Sequence, residues 1–328
     1  MPLLVTLGIS LSLCILSAFR DVLSDFWLSD SASALSSSGL FFVFVSVCVF
    51  LSFLLILQNK KDRAELKAFF EHPSKIFKII ILNAASFLAY FFYFKSLETN
   101  LGSGLISFID YSLIPVAIAF IAWTFFKEDL KPSFFVTLGF CLVGLAIVLL
   151  PRTSDLQFNS QDSWLGIFYI FLSVLGSAWV SNLMKILLVN GSSRAIVLFL
   201  RFFLVPIFFG IYLLIFAPQN LDGISDRVLP LIGLGVVGFF VPMYFMTFAL
   251  QRLSLHSFAL MTTLIPVSTV ILSVMFGLEN LMKFDFLGFI VLIFGILYYE
   301  LGGSFQLISS FFANLNLSVK TENSKNEV

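Results

Sequence analysis

The stretch Tyr111–Lys131, YSLIPVAIAFIAWTFFKEDLK, decides how the chain is read, because a near-copy of it returns later. Leu113, Ile114, Pro115 and Val116 recur as Leu264, Ile265, Pro266 and Val267. Thirteen residues after each proline comes a glutamate, Glu128 or Glu279, then a polar residue, then Leu130 or Leu281. Matched four-residue words with matched spacing to an acid point to one unit written twice, 151 residues apart.

Composition sets the solvent of that unit. The chain has 328 residues, of which 59% are hydrophobic and only 12% charged, with a mean hydropathy of +1.03. A soluble domain carries roughly 25% charge, so this is a membrane protein. Its formal net charge is zero, which argues against nucleic acid or a strongly charged partner. Cys14, Cys48 and Cys141 each lie in an apolar run without CxxC or Cys/His spacing, so they read as small core hydrophobes, and no metal site or cofactor is expected. Met1–Phe19 has no basic residue before its apolar segment and reads as a first transmembrane helix, not a cleaved signal.

A span needs about 20 apolar residues. Ten segments qualify, at 3–20, 38–58, 76–97, 103–126, 133–151, 163–185, 196–217, 228–250, 255–278 and 284–303. Because unpaired backbone groups are costly in lipid, each should be helical. The expected fold is an all-α membrane protein of ten transmembrane helices.

Orientation follows from the cations. Lys60, Lys61, Arg63, Lys67, Lys75, Lys78, Lys127, Lys131, Arg194, Arg252, Lys320 and Lys325 fall on one side, against Lys95, Arg152, Arg227 and Lys283 on the other. The positive-inside rule then puts both termini in the cytoplasm. The 58–75 connection, alternating Lys, Asp, Arg and Glu, reads as a short interfacial helix. Five spans per copy is an odd number, so the second copy enters the membrane in the opposite sense. The domains expected are a first repeat at 1–151, a second at 163–303 and a polar cytoplasmic tail at 304–328, the boundary falling in the polar Arg152–Asp162 linker. Inverted repeats are a plan of secondary transporters, which place their site at the midplane between the halves.

The paired LIPV words in the fourth helix of each copy, the acids that follow, and the glycines of the fifth helices (Gly139 and Gly144; Gly288 and Gly295) resemble the EamA family of the drug/metabolite transporter superfamily. The resemblance covers nearly the whole chain and is clearest over residues 86–151 and 242–301. It implies an inner-membrane permease that moves small metabolites, such as amino acids or nucleotide-derived compounds, often outward. The first helix departs most from the pattern, with Arg20 and Asp21 followed by a long Ser/Asp-rich connection.

Candidate transport residues are the polar groups inside spans. Asp110 stands seven residues into the fourth helix, roughly 10 Å from its end at 1.5 Å per residue. A carboxylate there costs about 2.5–3.5 kcal/mol to insert, so it should face a cavity, as a substrate or proton site or as the partner of Arg20 or Lys95. Ser103 and Ser107 share its face. Asn83, Ser86, Tyr90 and Tyr93 form a stripe on the third helix that suits either a ligand or an interhelical seam; Tyr93 also fits an aromatic belt. Asn182 and Lys185, Tyr244, Thr247 and Gln251, and Thr262 and Thr263 repeat the idea in the second copy. Arg20, Lys185 and Arg201 are candidate charge partners; Lys185 and Arg201 are the cytoplasmic-side cations best placed to attract an anionic group, yet both are near enough to helix ends to snorkel. Pro115 and Pro266 are candidate hinges. Glu128 and Glu279 read as architectural, and the 43 phenylalanines as lipid-facing filler.

Together these readings suggest a secondary carrier, a permease or exporter of a small polar, zwitterionic metabolite such as an amino acid or an S-adenosyl or nucleotide-derived compound, working by alternating access in the lipid bilayer of the cytoplasmic membrane with protons as a candidate coupling ion. The alternative is a non-transporting membrane scaffold or receptor subunit. An enzyme is not expected, since His72 and His256 are far apart and no cluster of ionisable groups or Walker A loop is present.

Overall fold

The computed structural model describes residues 3–29, 36–99, 101, 103–127, 132–153, 161–277 and 283–300. Glu128, Glu279, Lys131, most of the 152–162 linker and the 304–328 tail lie outside the described residues. All regular structure among the described residues is helical. Among the described residues, seven of the ten expected spans are helical stretches long and apolar enough to cross a membrane: 37–58, 75–97, 103–126, 162–189, 194–216, 228–252 and 255–275.

In order, the helices are α1 (Leu3–Ser29), α2 (Ser37–Gln58), α3 (Lys60–Phe70), α4 (Pro73–Leu97), α5 (Ser103–Phe126), α6 (Pro132–Thr153), α7 (Gln161–Val189), α8 (Arg194–Phe202), α9 (Leu204–Phe216), α10 (Val228–Leu234), α11 (Val241–Arg252), α12 (Leu255–Thr262), α13 (Ile265–Met275) and α14 (Lys283–Glu300). Their starts use short polar side chains in the usual way: Ser36 Oγ accepts from Gly39 N, Ser193 Oγ from Ile196 N and Ser254 Oγ from Ser257 N. Asn59 caps α3, whose acidic first turn and basic last turn suit the helix dipole. The expected helix in the 58–75 connection is therefore present.

The most extensive packing pairs are α4 with α7, α6 with α14, α5 with α7, α1 with α11, α1 with α13, and α2 with α8. Exchanging the first five apolar segments for the last five turns α4–α7 into α11–α1, turns α5–α7 into α13–α1, and returns α6–α14, α5–α13 and α2–α8 to themselves. Such a contact pattern is what an internal repeat leaves behind. Direction is read from paired positions. Ser103 meets Ser273 at 3.5 Å and Ser107 meets Thr269 at 3.2 Å, so numbering rises along α5 as it falls along α13. The helices that carry the two LIPV words thus cross antiparallel. The same holds for α6 and α14, where Gly144 faces Gly288 and Thr137 Oγ1 donates to Gly295 O at 3.2 Å.

Small residues make the closest approaches, as expected where helices associate without a hydrophobic driving force. A methyl group on Gly176 of α7 would lie 2.4 Å from Ala89 N and 2.6 Å from Ala85 O. Beside it, Ser173 Oγ donates to Ala89 O at 2.8 Å.

Three apolar segments are interrupted. Between α8 and α9 the turn at Phe203 frees backbone groups, and Asn83 satisfies them: its Nδ2 donates to Leu200 O at 2.7 Å while its Oδ1 accepts from Leu204 N at 3.1 Å. Between α10 and α11 the chain runs as a π-helix over Gly235–Phe240, a device that often marks functional positions. Between α12 and α13 it breaks at Thr263–Leu264, just before Pro266. Pro115, by contrast, sits inside an uninterrupted α5, so the two LIPV words adopt different local structures. Thr262 and Thr263 hydroxyls donate to Ala259 O and Leu260 O at 2.7 Å, the side-chain competition that loosens a helix.

Two expectations change here. The first apolar helix does not end at residue 20 but runs to Ser29, which carries Arg20 and Asp21 into the bundle. The phenylalanines divide between two environments: Phe50, Phe77, Phe120, Phe125, Phe135 and Phe208 are exposed, whereas Phe41, Phe44, Phe94, Phe108, Phe134, Phe202, Phe239 and Phe258 are fully buried. Phe41 has edge-on contacts to Phe87, Phe91 and Phe209 at 5.5–5.8 Å, geometry that the ring quadrupoles favour. The three cysteines are buried and free.

Candidate functional site

A cavity lies inside the bundle, bounded by α1, α4, α5, α7, α8, α11, α12 and α13, and so by both copies of the repeat. From the first half it is lined by Ser17, Arg20, Tyr90, Tyr93, Asp110 and Tyr111; from the second by Ser173, Ser177, Ser181, Arg201, Met243 and Thr262. Tyr111 and Thr262 each stand two residues before a LIPV word, and Ile114 and Ile265 within those words line it too. Equivalent positions of the two copies therefore converge on one space. Its volume, about 40 Å³ over the positions a water's centre can take, is room for a few waters.

Arg20 is buried and is held by its neighbour, with Nε and Nη2 donating to Asp21 Oδ1 at 2.8 and 2.6 Å. Its Nη2 also donates to the Tyr111 hydroxyl at 3.3 Å. The guanidinium is caged by the rings of Tyr90, Tyr93, Phe94 and Phe239 at 5.6–6.0 Å, where cation–π attraction offsets part of its lost hydration. Gly238 of the π-helix makes this position reachable, since a methyl there would lie 3.1 Å from Arg20 Cβ. Arg20 Nη1 and Asp21 Oδ2 have no hydrogen-bond partner among the described residues.

Arg201 approaches from α8. Its Nε donates to Ser86 Oγ at 3.3 Å, its Nη2 to the Tyr90 hydroxyl at 3.2 Å, and its Nη1 faces Met243 and Met246 sulfurs at 3.5 and 3.6 Å. The Tyr90 hydroxyl in turn donates to Met243 Sδ at 3.1 Å. Tyr90 thus meets two guanidiniums, with ring-centroid distances of 5.9 Å to Arg20 and 5.1 Å to Arg201. Asp110 closes the polar wall; it is buried, and its Oδ1 has no hydrogen-bond partner among the described residues.

Of the residues singled out from sequence, Asp110, Tyr90, Thr262, Arg20 and Arg201 come together at this cavity, and Ser86 touches it through Arg201. Others are engaged elsewhere. Asn83 plugs the α8/α9 break, and Ser107 pairs with Thr269. Asn182 Nδ2 donates to Ala178 O and Ile118 O at 2.9 and 3.5 Å, tying α7 to α5. Tyr244 lies under the Arg194 guanidinium at 5.1 Å, in a separate recess with Asn59 and Asp62. Gln251 is exposed, and Thr247 donates to Tyr244 O.

The cations also depart from expectation. Arg201 does not snorkel; it is 1% exposed. Lys185 does not line the cavity but donates to Leu250 O and Leu253 O at 2.7 Å each, closing the carbonyl end of α11. Asp110 has neither Arg20 nor Lys95 as ion-pair partner, because Arg20 pairs with Asp21 and Lys95 with Glu98 at 2.8 Å. Tyr93 belongs to the interior, not to an aromatic belt.

Sequence reasoning missed the wall contributed by α7. Ser173, Ser177 and Ser181 repeat at i, i+4 and i+8, a one-face polar stripe that the rule applied to the third helix would have found. Met243 and Met246 carry no such signal, since a thioether reads as core until its neighbours are known.

Comparison with known proteins agrees with this architecture. A solved crystal structure superposes with a TM-score of 0.65 over 89% of this chain and 94% of its own, at 14% identity, a likeness that speaks for the fold alone. No curated protein matches the sequence significantly. Residues 6–150 and 164–299 each match the EamA-like transporter family. With two such matches covering most of its length and seven membrane-length apolar helices, the chain is a multi-pass membrane protein that belongs to the EamA-like transporter family.

Proposed function

We propose that the protein is a secondary carrier for a small polar metabolite in the cytoplasmic membrane. It works by alternating access between two inverted five-helix repeats, residues 1–151 and 163–303, ahead of a cytoplasmic tail at 304–328, with both termini inside. The observation that carries this reading is the cavity itself, in which Arg20, Arg201 and Asp110 are brought together by both halves. A charged interior lined by two copies of one unit is costly to keep in a membrane protein and is what a midplane transport site needs. A scaffold or receptor subunit has no use for it.

Within this reading Tyr90 and Thr262 supply hydroxyls to the substrate and Asp110 takes and returns the coupling proton. Ser86, Asn83, Ser107 and Asn182 hold the surrounding helices. The break before Pro266 is where one half flexes against the other; Pro115, in a continuous helix, shapes α5. The space seen here is too small for a metabolite, so binding goes with an opening of the halves.

The test is uptake in proteoliposomes under an imposed pH gradient, screened over amino acids, nucleosides and nucleotide-derived compounds. Accumulation that Asp110→Asn abolishes, with folding intact, is the expected outcome. A variant that still concentrates substrate with unchanged pH dependence makes Asp110 structural, and movement of none of these compounds under any gradient removes the carrier reading.

A further inference from the structure

Arg201 is a buried cation whose contacts among the described residues are all neutral. Among the described residues no carboxylate lies within ion-pair distance of it; its partners are two hydroxyls and two thioethers. Thioether sulfur is a weak acceptor, and a guanidinium so placed is short of both counter-charge and strong acceptors. Buried arginines are ordinarily paired, as Arg20 is with Asp21.

A second unsatisfied donor points the same way. Arg20 Nη1 is buried without a hydrogen-bond partner among the described residues, and both arginines line the cavity and approach the Tyr90 ring. Arginine's planar fork suits carboxylate and phosphate oxygens, which it holds through two parallel bonds. The serine stripe of α7 lines the same cavity, and the flexible Met243 and Met246, in contact with Arg201, can repack around ligands of differing shape.

We propose that the substrate carries a carboxylate or phosphate group, and that this group docks between Arg201 and Arg20 beside Tyr90, supplying the counter-charge the protein leaves out. The inference rests on the carrier reading and narrows it to anionic or zwitterionic metabolites. A bound anion completes the coordination of Arg201, so loading and charge neutralisation of the site are one event. An anionic lipid headgroup offers the same oxygens, and the experiment separates the two.

The protein is purified in a neutral detergent and its thermal stability measured against amino acids, short hydroxy acids and nucleoside monophosphates, each beside its amide or methyl ester. A ligand well above its dissociation constant raises Tm by a few degrees. The expected result is a rise with an anionic compound that its neutral partner does not give. The rise should vanish in Arg201→Met, survive weakened in Arg201→Lys, and be unchanged in Arg252→Gln, an exposed cation stacked on Phe248. Without any ligand, Arg201→Met should keep or raise Tm, because an uncompensated charge is removed.

A neutral ester that binds and is transported as well as its acid overturns the proposal and leaves the carrier standing. So does a large fall in Tm of ligand-free Arg201→Met, which would make Arg201 a structural cation. Stabilisation by phosphatidylglycerol alone, lost in Arg201→Met, would assign the site to a lipid and also overturn it.

Discussion

Arg20 Nη2 lies 2.6 Å from Asp21 Oδ1, and both side chains are fully buried although they are successive residues of one helix. Adjacent helical residues do not normally face each other, so the arginine folds back beneath an aromatic cage to reach its neighbour. Removing one partner strands the other. Asp21→Asn should destabilise the protein by about 3–5 kcal/mol, whereas Arg20→Met with Asp21→Leu, which removes both charges, should return close to the parent. Thermal unfolding in detergent tests this; additive losses in the double variant would mean that the pair is not the relevant interaction.

Gly176 should tolerate nothing larger. A Cβ there meets Ala89 and Ala85 backbone atoms within 2.6 Å, and main chain cannot step aside as a flexible side chain can. Gly176→Ala should cost about 1–3 kcal/mol by overpacking. Gly139 has nothing within 4 Å of the same position, so Gly139→Ala should be neutral or stabilising by up to about 1 kcal/mol from helix propensity. Equal effects at the two sites would refute the close α4–α7 approach.

Lys185→Met should damage α11 and not the transport site. It leaves Leu250 and Leu253 carbonyls without their charged donor, a loss of roughly 1.5–3 kcal/mol per bond at most. Hydrogen exchange should rise around residues 250–253 while the apparent affinity for a transported compound holds. A selective loss of affinity would return Lys185 to the site.

Glu98, just beyond α4, is held below the ordinary glutamate range: burial opposes its charge, but hydrogen bonds from Lys95 and the Ser37 backbone outweigh that. A carboxyl more acidic when folded than when unfolded stabilises fully above its unfolded value, about 4.5, and loses that contribution as pH falls through the folded value. Glu98→Gln should therefore be less stable than the parent at pH 7 and differ less from it at pH 3, as read by Tm. A gap that is constant with pH would exclude the linkage.

Helical content, the membrane as solvent and the existence of a repeat were legible in the chain because they depend on local patterning: apolar runs of span length, and a word repeated at fixed register. Family resemblance was legible for the same reason. What each polar residue does was not. Asn83 and Tyr90 share one stripe on α4, yet Asn83 serves a break in the neighbouring α8/α9 and Tyr90 faces two arginines. Arg201 and Lys185 look alike as cations near helix ends, but one is sealed inside and the other closes a helix terminus. Periodicity fixes the face of a helix; which neighbour that face meets depends on interhelical packing between residues more than a hundred positions apart, as Arg201 and Ser86 are. The sequence by itself determined the helical, membrane-spanning class and pointed to a duplicated unit. Only the tertiary structure, by crossing α5 against α13 and drawing α1 onto the π-helix at Gly238, decided that Arg20, Arg201 and Asp110 share one cavity.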